Sequence, residues 1–548
     1  MRHFWNARVP MRDGVHLSAD VYIPEKKGAY PTVVIGTPYD NTMKSHVDMA
    51  SFFVSNSYCV VVYDVRGRHD SDGEFYPFFN DGPDGHDLVE WVAEQPWSDG
   101  KIGMMGGSYR GWIQWATAKE RPPHLTTMVP TATGGKWLQE FPYFNGIPCL
   151  WMFGWLNFVG ARTNQNTASP TVDWERVFNT LPIEDMSKTL GRDLPVWKEW
   201  IDHPDMDRFW KDISFTPKDF AGIDIPILHI TGYYDGDQPG ALHYYKGAVK
   251  NGPKPHQQYM LMGPWDHAGT RFPKRQLGGV DFTNESLMEM KHVHLEWFDR
   301  WLKGRKNAVD EWPLTRYFLM GENKWVETGD HWPLDTAHRA WNLTSQGNAN
   351  TLKGDGALTQ DNIEKEGVDT FTYNPEDPVM QTIGFDFYGS SVEPPLDKRY
   401  LMRRDDHLLY TSEPLKEPVT VAGAPVAELY VSSNCLDTDF FVGLYDVHRD
   451  GRSILVSRGL LRARYREGLE KQVLMEPGEV YNLTIPMDST GLTFHEGHRI
   501  RISVTSSDFP RYARNNNTGN PVGPDSEIRV AQNRVHHGVM YPSRILLP

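Results

Sequence analysis

The sequence predicts a doubly wound α/β sheet, interrupted once by a helical insert and followed by an all-β jelly-roll sandwich. Three observations carry this expectation. Early in the 548-residue chain, short and nearly continuous apolar runs alternate with helix-like segments, as strands buried on both faces of a mostly parallel sheet require. Residues 133–223 break that alternation with a stretch rich in aromatics and prolines. Past residue 308 the pattern changes to short alternating strands between turn residues. The expected division is therefore residues 1–132 with 224–308 as the α/β domain, 133–223 as its inserted cap, and 309–548 as the sandwich.

The elements follow in order. Val9 to Met11 and Val15 to Ile23 flank an Asp13-Gly14 turn and read as a hairpin. Pro31 to Gly36 and Tyr58 to Tyr63 are the first buried strands, with a helix between them. Asp81-Gly-Pro-Asp84 offers capping residues and an early proline for a helix running to about Gln95. Lys101 to Met105, Thr126 to Pro130, Ile225 to Thr231 and Gln258 to Met262 are further strands, and 287–303 is a last helix closed by Gly304. Thr315 to Met320, Arg339 to Leu343, Ala427 to Ser432, Phe440 to Val447, Ser453 to Leu461, Val480 to Ile485 and Arg499 to Thr505 read as the sandwich strands. The polar stretch from about 345 to 400 reads as a long connection.

Composition narrows the function classes. A formal charge of −15 opposes nucleic acid or an anionic membrane as partner, since either would repel most of the surface. The polar start Met1-Arg-His-Phe-Trp-Asn lacks the apolar core of a signal peptide, and no apolar run is long enough to span a bilayer, so a cytoplasmic location is expected. Cys59, Cys149 and Cys435 lie too far apart for a disulfide framework or a metal-ligand spacing. No metal site and no cofactor-binding glycine loop is expected, and a homo-oligomer is compatible with the composition.

The most informative segment is Gly106-Gly-Ser108-Tyr-Arg-Gly111, between the strand Lys101 to Met105 and a helix-like run. A serine pinned by small residues between strand and helix is how a hydrolase presents a nucleophile in a strained, exposed turn. Such a serine needs a base and an acid that orients it, in the chain order serine, acid, histidine. Asp235 follows the strand Ile227 to Thr231, where α/β sheets put their sites, and His267 follows Gln258 to Met262 in a glycine-bounded loop. His229 sits inside its strand and reads as structural, and Asp266 points elsewhere if His267 faces Ser108. An oxyanion needs donors fixed in advance: the Tyr109 N–H is one by position, and the hydroxyl of Tyr39 in Gly36-Thr-Pro-Tyr39 is a second, unless Tyr39 is a surface turn residue.

These segments resemble the cocaine esterase and X-Pro dipeptidyl peptidase group of α/β-hydrolases, which includes α-amino-acid ester hydrolases and glutaryl-cephalosporin acylases. The resemblance runs nearly full length, through Thr37-Pro-Tyr39, Asp64-Val-Arg66-Gly67, Ser71-Asp-Gly-Glu74, the serine turn, Tyr234-Asp235, Gly263-Pro-Trp-Asp-His267 and Trp297 to Gly304. In the sandwich it continues through Asp437-Thr-Asp-Phe440, Leu444-Tyr-Asp-Val447 and Gly497 to Ser503. It implies Ser108 as nucleophile, His267 as base, Asp235 as its orienter, Tyr39 and Tyr109 as oxyanion hole, and sandwich residues as walls of the pocket.

The substrate is less legible. Trp137, Phe141, Trp151 and Trp155 in the cap are candidates to line a cavity for an apolar or aryl acyl group, with core packing as the alternative for each. Asp237 occupies one of two acidic positions that in amino-ester hydrolases follow the triad aspartate, whereas Gln238 stands at the other. Asp237 and Glu140 could therefore meet a substrate ammonium, or Asp237 could cap the helix that begins near Pro239. Arg110 could meet an anionic acyl group or pair with an acid behind the turn. The expected activity is hydrolysis of small-molecule carboxylic esters through an acyl-enzyme. Amide or X-Pro dipeptide hydrolysis is the alternative, and a non-catalytic binding protein the remote one.

Overall fold

The computed structural model describes residues 1–167, 171–334, 337–380 and 395–548. Its first sheet has, among the described residues, ten strands. In chain order these are β1 (Arg2–Pro10), β2 (His16–Ile23), β3 (Tyr30–Thr37), β4 (Cys59–Asp64), β5 (Ser98–Gly107), β6 (Leu125–Thr131), β7 (Ile227–Tyr234), β8 (Gln258–Asp266), β9 (Thr315–Leu319) and β10 (Lys324–Thr328). Their order across the sheet is β1-β2-β4-β3-β5-β6-β7-β8-β9-β10. From β4 to β9 all neighbours are parallel, and antiparallel pairs close both edges. The hydrophobic runs read from sequence are these central strands: all six residues of β4 are buried, as a parallel strand covered by helices on both faces must be.

Helices α1 (Lys44–Ser55), α2 (Asp81–Ala93), α3 (Tyr109–Lys119), α4 (Leu150–Val159), α5 (Gln238–Asn251) and α6 (Met290–Trp301) complete this region with several shorter ones. Among its described residues the insert between β6 and β7 carries helices from α4 onward, and it departs from the all-helical reading in a buried two-strand hairpin, Tyr143–Phe144 with Ile147–Pro148. The α2 start differs from its sequence reading. Neither Asp81 nor Asn80 caps the helix with its side chain. Asp81 instead turns inward and accepts hydrogen bonds from the Tyr109 hydroxyl at 2.7 Å and from Trp112 Nε1 at 3.0 Å.

The second unit is a β sandwich of short strands. Its alternating strands bury one face, as Gly367–Tyr373 and Ala531–His537 show in their every-other-residue burial. Two expectations change here. Thr315–Leu319 does not belong to the sandwich: it pairs in parallel with β8, because after α6 the chain returns to the open edge of the first sheet. The stretch 345–400 is more than a connection, since it contributes the strands Ala357–Thr359 and Gly367–Tyr373, and in the second the apolar Val368 faces out while the polar Asp369 faces in, which blurs the alternation. Residues 381–394 of that stretch lie outside the described residues. Strands Leu408–Ser412, Val419–Gly423, Thr490–Phe494, Ala531–His537 and Arg544–Leu547 were not among the predicted ones.

One apolar core joins the sheet to the cap, and a second runs from Tyr233, Met260 and Phe318 of the sheet into Leu429, Phe440 and Val504 of the sandwich. The three cysteines are buried and free. Among the described residues no helix is long and apolar enough to cross a membrane.

Candidate active site

β5 ends in Gly106-Gly107 and α3 begins at Tyr109, so Ser108 alone makes the turn between strand and helix. It does so at φ 65°, a conformation that costs a non-glycine residue energy and persists only when its surroundings enforce it. Here the enforcement is the Ser108 N–H, which is held by the carbonyls of Thr131 and Ala132 at 3.0 Å each. Close packing explains the flanking glycines. A Cβ on Gly106 would lie 2.6 Å from the Arg110 Cβ, and one on Gly111 would lie 2.2 Å from Thr133 Oγ1. Tyr109, first residue of α3, has no preceding turn of helix to receive its N–H, which leaves that donor at the helix N-terminus beside Ser108.

Asp235 and His267 lie just beyond β7 and β8, neighbouring parallel strands. Their side chains meet, with His267 Nδ1 2.8 Å from Asp235 Oδ1. Asp235 also accepts from the Thr231 hydroxyl at 2.9 Å and from the Asp237 N–H at 3.0 Å. Burial by itself would raise the Asp235 pKa, but the hydrogen bond and charge of His267 together with these donors hold it below the usual carboxylate value. The acid is thus an ionised acceptor, which fixes the imidazole and leaves its second nitrogen for the cavity that His267 and Ser108 line together. Asp266 turns away to accept from the Gly269 N–H at 2.6 Å, and His229 stays within its strand, bonded to Gln258 at 3.1 Å.

Tyr39 is half-buried and lines the same cavity, so it is not a surface turn residue. Its hydroxyl accepts from Trp155 Nε1 at 3.1 Å, and it shares the cavity wall with Ser108. Burial raises its pKa, so the phenol keeps its proton and can donate it to a developing oxyanion.

The cavity is narrow, about 60 Å³, and mostly apolar. Phe141, Trp151 and Trp155 line it as expected, and Phe78, Trp112 and Met152 join them unpredicted. Trp137 lies behind, packed on Phe78 with ring centroids 5.0 Å apart. Asp237 also lines it and is not a helix cap: it stands at the cap position of α5 but receives no hydrogen bond from that helix. Its carboxylate lies 3.8 Å from His267 Nδ1, and burial holds its pKa well above the usual range, with Glu140 and Asp235 adding to the rise. Glu140 sits behind this wall, its carboxylate accepting from the N–H groups of Gly135, Lys136 and Gly240 at 2.8, 2.9 and 3.3 Å, and burial pushes its pKa up to about 8. Arg110 meets neither a cavity-lining position nor an acid. It donates to the Gly107 carbonyl at 3.3 Å and contacts His46 Nε2 at 2.7 Å, and burial, aided by the nearby Arg271, lowers its pKa to about 10.

Two other constellations resemble functional sites. Ser345, His537 and Asp369 meet in the sandwich, but the serine donates to Asp369 at 2.7 Å and both lie on the same ring nitrogen, Nε2. With acid and serine at one nitrogen no proton can pass across the ring, so the group is structural. Asp446, His448 and His498 present possible metal-ligand atoms within 4.8 Å of one another. They are already occupied with each other and with Arg452, through contacts of 2.8 Å from His498 to Asp446 and 3.3 Å from Arg452 to His448.

Residues 13–269 match the X-Pro dipeptidyl-peptidase (S15) family, and residues 307–546 match the X-Pro dipeptidyl-peptidase C-terminal non-catalytic domain. Cocaine esterase of Rhodococcus sp. (strain MB1 Bresler) is 35% identical over 99% of this chain and 98% of its own. Among solved structures, an α-amino acid ester hydrolase superposes with a TM-score of 0.90 and 25% identity over 100% of this chain and 96% of the other. An aminopeptidase from a marine-sediment Thaumarchaeota archaeon does so with a TM-score of 0.89, 25% identity and the same coverage.

Proposed function

The chain belongs to the serine hydrolase family of cocaine esterase and the X-Pro dipeptidyl peptidases, and from that premise we propose that Ser108, His267 and Asp235 are its catalytic triad. The protein is a hydrolase of carboxylic esters. In the proposed cycle Ser108 Oγ attacks the ester carbonyl while His267, held by Asp235, takes its proton. The oxyanion is met by the Tyr39 hydroxyl and the Tyr109 N–H. The alkoxide leaves with the proton from His267, and water, activated by the same imidazole, releases the acid and restores Ser108. The observation that carries this reading is the 2.8 Å His267–Asp235 pair facing a serine at φ 65° across one cavity. The apolar ring walls favour an apolar or aryl acyl group.

Asp237 favours a second, narrower reading. A carboxylate without a hydrogen bond from its helix, set in an aromatic wall beside the base, suits an α-ammonium on the acyl group, which would draw the carboxyl into its charged form. One substrate panel tests both readings. Ser108→Ala is expected to lower turnover of an activated aryl ester by a factor of about 10⁴ or more with the fold intact, and undiminished turnover would overturn the triad. Phenylglycine methyl ester is expected to be cleaved faster than its des-amino analogue, with Asp237→Asn erasing the difference. Equal rates in the unaltered enzyme would reject the ammonium pocket and leave the esterase standing.

A further inference from the structure

Tyr39 sits in a short loop that would not hold its shape unaided. Asp40, the next residue, is at φ 100°, well inside the region that favours glycine. Three successive carbonyls of this loop are each gripped by a side chain from a different part of the chain. Arg68, after β4, donates from Nε to the Pro38 carbonyl at 2.8 Å. Asn164, from the cap, donates from Nδ2 to the Tyr39 carbonyl at 2.7 Å. His46, on α1, bonds the Asp40 carbonyl through Nδ1 at 3.1 Å while its Nε2 faces Arg110 of the serine turn at 2.7 Å. Arginine can only donate, so the Nε2 facing it is the acceptor and Nδ1 carries the proton. Burial and the Arg110 charge keep this histidine neutral, with a pKa lowered to about 4.

Asn164 is the member that reaches Tyr39 itself. Its amide orientation is fixed from the other side, because Arg68 Nη2 donates to Asn164 Oδ1 at 2.6 Å and so turns Nδ2 toward the Tyr39 carbonyl. Arg68 in turn bonds the carbonyl of Val159, the last residue of α4, at 2.8 Å. The cap segment 159–164 is thus bound to the loop that carries the Tyr39 phenol. We propose that Asn164 is a positioning residue for catalysis: it sets the Tyr39 backbone so that the hydroxyl stands where the oxyanion forms, making the cap part of the oxyanion machinery. This rests on the reading of Tyr39 as an oxyanion donor. Displacement of a reacting group by about 1 Å can cost roughly 10²-fold in rate, so losing one of three grips is expected to be felt in kcat.

A double-mutant cycle tests it, read in kcat and KM on p-nitrophenyl butyrate, with reactive serine sites counted by stoichiometric titration with an aryl phosphonate. Asn164→Ala is expected to lower kcat and kcat/KM together by about tenfold with KM within about twofold, the signature of an interaction made in the transition state. Asn164→Asp, which keeps the Arg68 contact but sets a carboxylate oxygen against the Tyr39 carbonyl, is expected to lose more. Because Asn164 acts through the Tyr39 hydroxyl, Asn164→Ala introduced into Tyr39→Phe is expected to change kcat by less than about twofold. The same fold loss in both backgrounds, or an Asn164→Ala enzyme at full kcat, would overturn the proposal. A Tyr39→Phe enzyme at full kcat would instead overturn the oxyanion reading, and the positioning role with it.

Discussion

At the residue scale, Asp81, the first residue of α2, is a buried acceptor behind the serine turn rather than a cap. Burial pushes its pKa up to about 7, against the donation it receives from Tyr109 and Trp112. Between its ordinary value and about 7 the native state holds a proton that the unfolded chain has released, so this group makes stability fall as pH rises, by at most about 1.4 kcal/mol per pH unit. Asp81→Asn keeps an acceptor for both donors and removes the titration. Its stability relative to the unaltered protein is therefore expected to improve between pH 4.5 and pH 8, measured by urea unfolding; a constant difference across that range would contradict it. That Ser108 and His267 line one cavity, with Asp235 bonded to the imidazole, is legible in the sequence because each stands at the end of a strand. The placement of Asp81 and Asp237 is not, because an aspartate ahead of a helix looks identical in sequence whether it bonds the helix or faces inward. Arg110 was misread for a similar reason. An anionic acyl group or an acid behind the turn is the expected partner, and the side chain instead contacts a neutral histidine 64 residues earlier.

At the element scale, the serine turn shows what a spacing encodes. Glycine is needed three places after Ser108 because α3 packs directly on the segment following β6, where Thr133 leaves no room for a Cβ. Arg110, two places after the serine, has that room. Parallel strands were found from their continuous apolar runs because burial on both faces suppresses alternation. The sandwich strands were found less evenly. Gly367–Tyr373 alternates buried aspartate, phenylalanine and tyrosine with exposed valine and threonines, and its buried Asp369 reads as polar although hydrogen bonds from Tyr410 and Ser345 satisfy it. Thr315–Leu319 was found as a strand and assigned to the wrong sheet, since strand pattern carries no record of its partner.

At the scale of the whole molecule, the sandwich is continuous with the catalytic sheet. Their shared core includes Tyr233, Met260 and Phe318 from one side and Leu429, Phe440 and Val504 from the other. Beside the loop that carries Asp235, Gln238 binds both ways across the boundary, donating to the Ser489 carbonyl at 3.0 Å and accepting from its N–H at 2.7 Å. A chain ending at residue 334 would expose this core and release Gln238, so it is expected to be insoluble or to lack ester hydrolysis; a soluble and fully active fragment would show the coupling to be dispensable. The amino-acid order alone determined the strand and helix rhythm, the insertion of the cap and the placement of Ser108, Asp235 and His267 at strand ends, because these depend on local periodicity. Only the tertiary structure decided which aromatics face the cavity, what Arg110 and Asp81 touch, and how Arg68, Asn164 and His46 hold the Tyr39 loop. Those contacts join side chains distant in sequence through single hydrogen bonds, and such a bond leaves no periodic trace in the chain that makes it.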